Sequence, residues 1–197
     1  MLVRILVTTV LIVFLGFVSL IESLKPPSII EQAEPIVVVP LPRGVPIVVT
    51  EPWMMAMRQA LPNVLRDYGH SIVSASRQEG LDPKIVAGVL LAESIGIPES
   101  ISKKNAKGCM QTLEIADVDI GMQNYDSFNC HISIKKGSKY LALLRDRYGF
   151  KNPFISVLAY RDGPGNAKHY SKSRAYKDPY LNKVWAVMEE IPDDAFL

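Results

Sequence analysis

The sequence predicts a mainly α-helical domain with one small extended segment. Three observations point there. Apolar residues recur at helical spacing in several runs, and capping residues and glycine stops flank those runs. No stretch alternates apolar and polar residues for long enough to build a large sheet. The chain has 197 residues and is 48% hydrophobic, enough for one cored domain with appendages.

The elements follow in order. Residues 1–24 form a targeting segment. Arg4 gives a positive start, and Ile5 to Ile21 is uncharged and strongly apolar. This length is long for a signal-peptide core and at the lower limit for a membrane span. No small-x-small cleavage site precedes Glu22, so an uncleaved inner-membrane anchor and a secreted mature form both stay open. Either way the remainder is expected outside the cytoplasm. Residues 25–52 hold seven of the fourteen prolines around the β-branched runs Ile36–Val39 and Ile47–Val49. The prolines forbid a helix and disfavour a central strand, so a semi-extended spacer is expected. The globular domain spans 53–197. Its predicted helices cover 62–78, 81–94, 131–148, 153–161, 164–171 and 178–190. Gly80 and Gly149 are stops, and Lys107–Leu113 is the extended piece.

Composition excludes several functions. A formal charge of +2 gives no case for nucleic acid. The run from Arg161 to Lys183 is richer in cations, and reads equally as a solvated face or as a patch for an acidic polymer. His70, His131 and His169 form no metal or nucleophile set, and no phosphate loop is present. No metal and no cofactor are expected. Cys109 and Cys130 are too few for a zinc site. In an oxidising compartment they are expected to form a disulfide.

Glu93 is the most informative residue. On the 81–94 helix, Asp82 is a good N-cap and Pro83 suits the first turn. Val86, Val89, Leu90 and Glu93 share one face at i, i+3, i+4, i+7 spacing, so a carboxyl group continues an apolar stripe. Burial, together with the negative end of the helix dipole, raises its pKa. That makes Glu93 a candidate general acid.

Further motifs follow in register. Glu93-Ser94 precedes Ser102-Lys-Lys-Asn105-Ala-Lys-Gly108-Cys109-Met110-Gln111 and later Ala159-Tyr160-Arg161-Asp162-Gly163. Gly80-Leu-Asp-Pro83 and Gly137-x-x-Tyr140-Leu141 fit the same order. This resembles the soluble lytic transglycosylase family over about residues 62–190. The resemblance implies an α+β, goose-type-lysozyme-like fold with the extended segment beside an active-site cleft. It departs at Asn105, which replaces a usual glycine and accepts left-handed angles. It departs also at Cys109, in place of leucine, at His131, near a usual asparagine, and at Arg161, in place of an asparagine that supports the site wall.

The resemblance implies cleavage of the β-1,4 bond of peptidoglycan glycan strands, with Glu93 the catalytic residue. The substrate's own C6 hydroxyl would be the nucleophile, leaving a 1,6-anhydromuramyl end. Tyr160 is expected to hydrogen-bond Glu93. Ser94, Ser102 and Gln111 are expected to bind or orient substrate, Met110 to line the cleft floor, and Gly108 and Gly163 to serve backbone geometry. A search for a second carboxylate finds Glu99, Glu114, Asp117 and Asp119, all read as surface groups. A water-using muramidase and a non-catalytic peptidoglycan-binding module are the rivals. Membrane tethering through residues 5–21 would suit service to a secretion or envelope complex.

Overall fold

The computed structural model of the chain describes residues 44, 46–171 and 175–196. The expected anchor and most of the spacer lie outside these residues. Helix α1 (Glu51–Glu79) starts well before the expected Pro62. Glu51 and Pro52 occupy its first turn, where a negative charge and a missing N–H both fit. Pro62 lies inside the helix. An interior proline costs about 3 kcal/mol. Burial of Met57, Leu61 and Val64 offsets it, at about 1.5–3 kcal/mol for each fully buried side chain. Gly80 ends the helix with φ 60.

Helix α2 (Pro83–Ser94) is the central element. The Asp82 carboxylate accepts from the Lys84 amide at 2.8 Å, as a cap should. Ile85, Val86, Val89, Leu90 and Leu91 are all buried, so the all-round apolar sequence matches its position. Ile95 follows with φ 55. That angle is costly for a β-branched residue, and it falls two residues after Glu93.

The extended piece is reduced to single bridges, Ile101 with Lys107 and Lys107 with Thr112. Asn105 adopts φ 62, the angle its replacement of glycine requires. Helix α3 (Glu114–Asp119) is short and was not expected. Helix α4 (Cys130–Arg147) is capped by Asn129, α5 (Pro153–Asp162) by Asn152 and α7 (Pro179–Glu190) by Asp178. Between the last two, α6 (Pro164–Ala167) is shorter than the expected 164–171. The fold is mainly α, as a lysozyme-like domain should be.

One packing detail positions the site. A Cβ at Gly88 would stand 2.7 Å from Val184 Cγ1 and 3.0 Å from the Val184 carbonyl. Glycine therefore lets α7 lie directly on α2. The second point of contact joins Glu93 of α2 to Tyr180 of α7. Going up in number on one helix means going down on the other, so the two run antiparallel. The Gly88 contact thereby delivers the start of α7 to the end of α2.

Candidate active site

Glu93 lies in the last turn of α2 and lines a cleft of about 670 Å³. Ser102, Gln111 and Thr112 from the bridged segment form one side, with Asp119 from α3. Tyr140 from α4, Tyr148 just after it and the corner Tyr160–Pro164 complete it. The extended piece thus stands beside the cleft. The Tyr180 hydroxyl donates to Glu93 Oε1 at 2.6 Å. Burial raises the carboxyl from 4.5 to about 7, against the lowering effect of that hydrogen bond and of the Arg161 and Lys183 charges. Near neutral pH both forms are populated, so one group can give a proton and later take one.

The phenol that holds Glu93 is therefore Tyr180, not Tyr160. Tyr160 instead donates to the Met110 carbonyl at 2.7 Å. Burial pushes both phenols well above their ordinary value of 10, so they stay protonated donors. Tyr180 stands 87 positions from Glu93 in the chain. No motif spacing announces it, and only the α2–α7 packing brings it there.

Met110 is not the cleft floor. It has no exposed surface, and its side chain fills the space that Gly137 leaves by lacking a Cβ. Ser94 faces inward also. Its hydroxyl donates to the Cys109 carbonyl at 2.8 Å and accepts from the Gly96 amide at 3.1 Å. It fastens the end of α2 to the Gly108–Met110 turn. The same turn is tied to α4 by the Ser133 hydroxyl, which accepts from the Met110 amide at 3.0 Å. The Cys109–Cys130 disulfide adds a second tie, across Cα atoms 5.4 Å apart, a normal span for such a bond. Gly108 has φ 77, and a Cβ there would overlap the Ser127 carbonyl. Gly163 takes φ 82 and ψ 153 between α5 and α6, a conformation open essentially to glycine alone.

Ser102 and Gln111 both line the cleft. Gln111 sits at φ 50, and its amide nitrogen donates to the carbonyls of Ser100 and Gly108 at 2.8 and 2.9 Å. The Ser102 hydroxyl accepts from the Ala106 amide at 3.0 Å. Both side chains therefore shape the loop that forms one side of the cleft.

The spare carboxylates separate. Glu99 and Glu114 are exposed. Asp119 reaches the cleft and lies 3.8 Å from Arg147. Asp117 is not a surface group: it is 5% exposed and accepts from Lys136 Nζ at 2.7 Å. Lys136 is itself fully buried and also donates to Tyr125 O and Ser127 Oγ, each at 2.8 Å. Its three donors are thus all used. The pair escaped the sequence reading because each residue alone resembles an ordinary surface charge. Arg161 and Lys183 come from the cation-rich run and lie near the site. Both act electrostatically on Glu93, and Lys183 lies 5.1 Å from the Trp53 ring centre.

Fold and site together define a helical, lysozyme-like domain with a cleft lined by a glutamic acid whose pKa burial raises. A family model described as the transglycosylase SLT domain matches residues 70–182, more than half of the chain, and the chain belongs to that family. It is 34% identical over 115 residues to a protein named transglycosylase from Enterobacteria phage PRD1, covering 58% of this chain and 42% of that protein. It is 30% identical over 115 residues to membrane-bound lytic murein transglycosylase C of Actinobacillus pleuropneumoniae serotype 5b, covering 51% and 32%. Its identity with the protein of the same name from Histophilus somni is 35% over 109 residues, covering 48% and 30%. The chain spans less than half the length of each of these relatives.

Proposed function

We propose that this chain is a peptidoglycan lytic transglycosylase that cleaves the β-1,4 bond between N-acetylmuramic acid and N-acetylglucosamine. The observation that carries this reading is the Glu93 carboxyl, raised to about 7 by burial, on the wall of the cleft. Glu93 protonates the leaving glycosidic oxygen as the bond to the anomeric carbon breaks. The substrate's C6 hydroxyl attacks that carbon, with the N-acetyl group assisting. Glu93, now a carboxylate, takes the C6 hydroxyl proton. The carboxyl is regenerated, a 1,6-anhydro ring forms, and no water is consumed. Tyr180 holds the carboxyl in place throughout. Ser102 and Gln111 would contact sugar hydroxyl or N-acetyl groups, a role supported by their place on the cleft wall.

A muramidase reading has one observation in its favour, since Asp119 lines the same cleft and is a second carboxylate. Mass spectrometry of fragments released from purified sacculi decides between the two, because hydrolysed ends are heavier by one water. Hydrolysed ends alone would refute the transglycosylase reading. Loss of release in Glu93→Gln, with sacculus binding kept, is expected. Turnover within about tenfold of the natural chain would defeat the acid assignment.

The relatives named membrane-bound support an exported, envelope-associated enzyme. Residues 5–21 would hold it at the inner membrane, and residues 25–52 would lift the domain toward the wall. Local clearing of wall for a secretion or envelope complex suits that arrangement. Normal assembly of such complexes in a deletion strain would rule the role out.

A further inference from the structure

Arg161 is one of the four positions at which this chain departs from the family pattern, and it stands at the cleft. Its guanidinium is held by carboxylates of the protein itself. Nε donates to Asp162 Oδ1 at 2.6 Å, and Nη1 and Nη2 donate to Asp178 Oδ1 and Oδ2 at 2.7 and 2.9 Å. The planar fork is thus matched by two carboxylates, one on each side. Asp178 is the N-cap of α7, and its Oδ1 also accepts from the Tyr180 amide at 2.9 Å. The guanidinium carbon lies 5.0 Å from the centre of the Tyr180 ring, within cation–π range. Arg161 therefore grips Tyr180 at both ends, its backbone through Asp178 and its ring directly. The hydroxyl of that same ring is the group 2.6 Å from Glu93.

We propose that Arg161 is a positioning residue, one that joins the end of α5 to the start of α7 and so holds the Tyr180 phenol on Glu93. The proposal rests on the reading of Glu93 as proton donor. A lysine cannot do the same work, because one ammonium cannot bridge two carboxylates and cover a ring together. Other charged and titratable groups act on Glu93: Tyr180 and Lys183 from α7, and Tyr160 and Arg161 from α5. Asp119 from α3 shares the cleft, and Asp162 and Asp178 are both paired with the single Arg161 cation. Loss of Arg161 removes a nearby positive charge and loosens a hydrogen bond. Both changes raise the pH at which Glu93 ionises.

The test uses the full chain as the natural protein, R161Q, R161K, Y180F and the R161Q/Y180F double variant. Rates on purified sacculi are measured across the pH range, and the Glu93 carboxyl is titrated by carbon-13 NMR. R161Q and R161K are each expected to lower kcat about tenfold with KM within about twofold. In R161Q the Glu93 titration moves upward, and in R161K it moves less because the charge remains. The double variant is expected to match Y180F within about twofold, since residues acting through one another are not additive. Rates in R161Q equal to the natural chain with an unmoved Glu93 titration would overturn the proposal, as would effects of R161Q and Y180F that multiply. R161K carries the test if R161Q does not fold. Turnover in Glu93→Gln would sink the proton-donor reading instead. The titration in R161Q would still decide whether Arg161 sets the Tyr180–Glu93 contact.

Discussion

Replacing Glu93 by glutamine should make the protein more stable, by an amount that grows as the pH rises from 4.5 to 7. The carboxyl ionises near 4.5 in an ordinary setting and near 7 in the fold. The folded chain thus holds this proton more tightly than the unfolded chain does. Below pH 4.5 both states are protonated and the group has no differential effect. Between pH 4.5 and 7 the unfolded chain gives up this proton while the folded chain keeps it, so folding is progressively disfavoured through that window and the loss levels off above 7. By about pH 8 the cost is about 3 kcal/mol, from 1.36 kcal/mol for each pKa unit. Glutamine carries no such cost and still accepts the Tyr180 hydrogen bond through its amide oxygen. A kcal/mol moves Tm about 2–4 °C in a domain of 150–250 residues. The variant should therefore melt roughly 6–12 °C higher at about pH 8 and level with the natural chain near pH 4.5. Thermal unfolding followed by circular dichroism, with the disulfide intact, measures this. Two Tm curves that stay parallel across the range would refute the reasoning, because they would mean that the carboxyl is solvated. The same variant should be inactive, so stability and activity trade against each other at one side chain.

Three further outcomes follow from contacts elsewhere in the fold. Tyr180→Phe removes the hydrogen bond that lowers the Glu93 pKa, so the alkaline limb of the rate profile should move above 7 while kcat falls by about tenfold; an unmoved limb would show that Tyr180 does not reach Glu93 in solution. Gly88→Val forces a branched side chain into the Val184 backbone and should cost about 1–3 kcal/mol in urea unfolding, with activity lost beyond that because Tyr180 is displaced; full activity would exclude the packing account. Lys136→Met leaves Asp117 buried without its cation and should cost about 3–5 kcal/mol, a loss that Tm reads directly and that a change under ~1 kcal/mol would contradict.

Much of the fold was readable because its signals are local. Asp82, Asn129, Asn152 and Asp178 each stand before an apolar period, and each caps the helix that follows. Gly80 ends a helix in the left-handed region, where a residue without a Cβ is favoured. The start of α1 was misplaced because Pro62 reads as a boundary. Tertiary burial of its neighbours overrides that local cost. Helix α3 was missed because six residues are too few to show a period. Glu93 was legible as an acid in apolar surroundings, since a single helix supplies both the carboxyl and the stripe. The partner of Glu93 was not, because Tyr160 stands inside a local motif whereas Tyr180 stands in none. Ser94 and Met110 were given to the cleft for the same reason, though the Gly108–Met110 turn faces them inward.

The amino-acid order by itself determined which segments are helices, where most of them stop, and that one buried glutamate would be a poised acid. These are consequences of backbone capping and periodicity, and they act within a few residues. Which phenol meets that glutamate, which aspartate is buried against Lys136, and where Arg161 spends its charge were decided only by tertiary structure. Those contacts join positions up to 87 apart. They depend on how closely helices approach, and that closeness is set at α2 by one missing Cβ at Gly88.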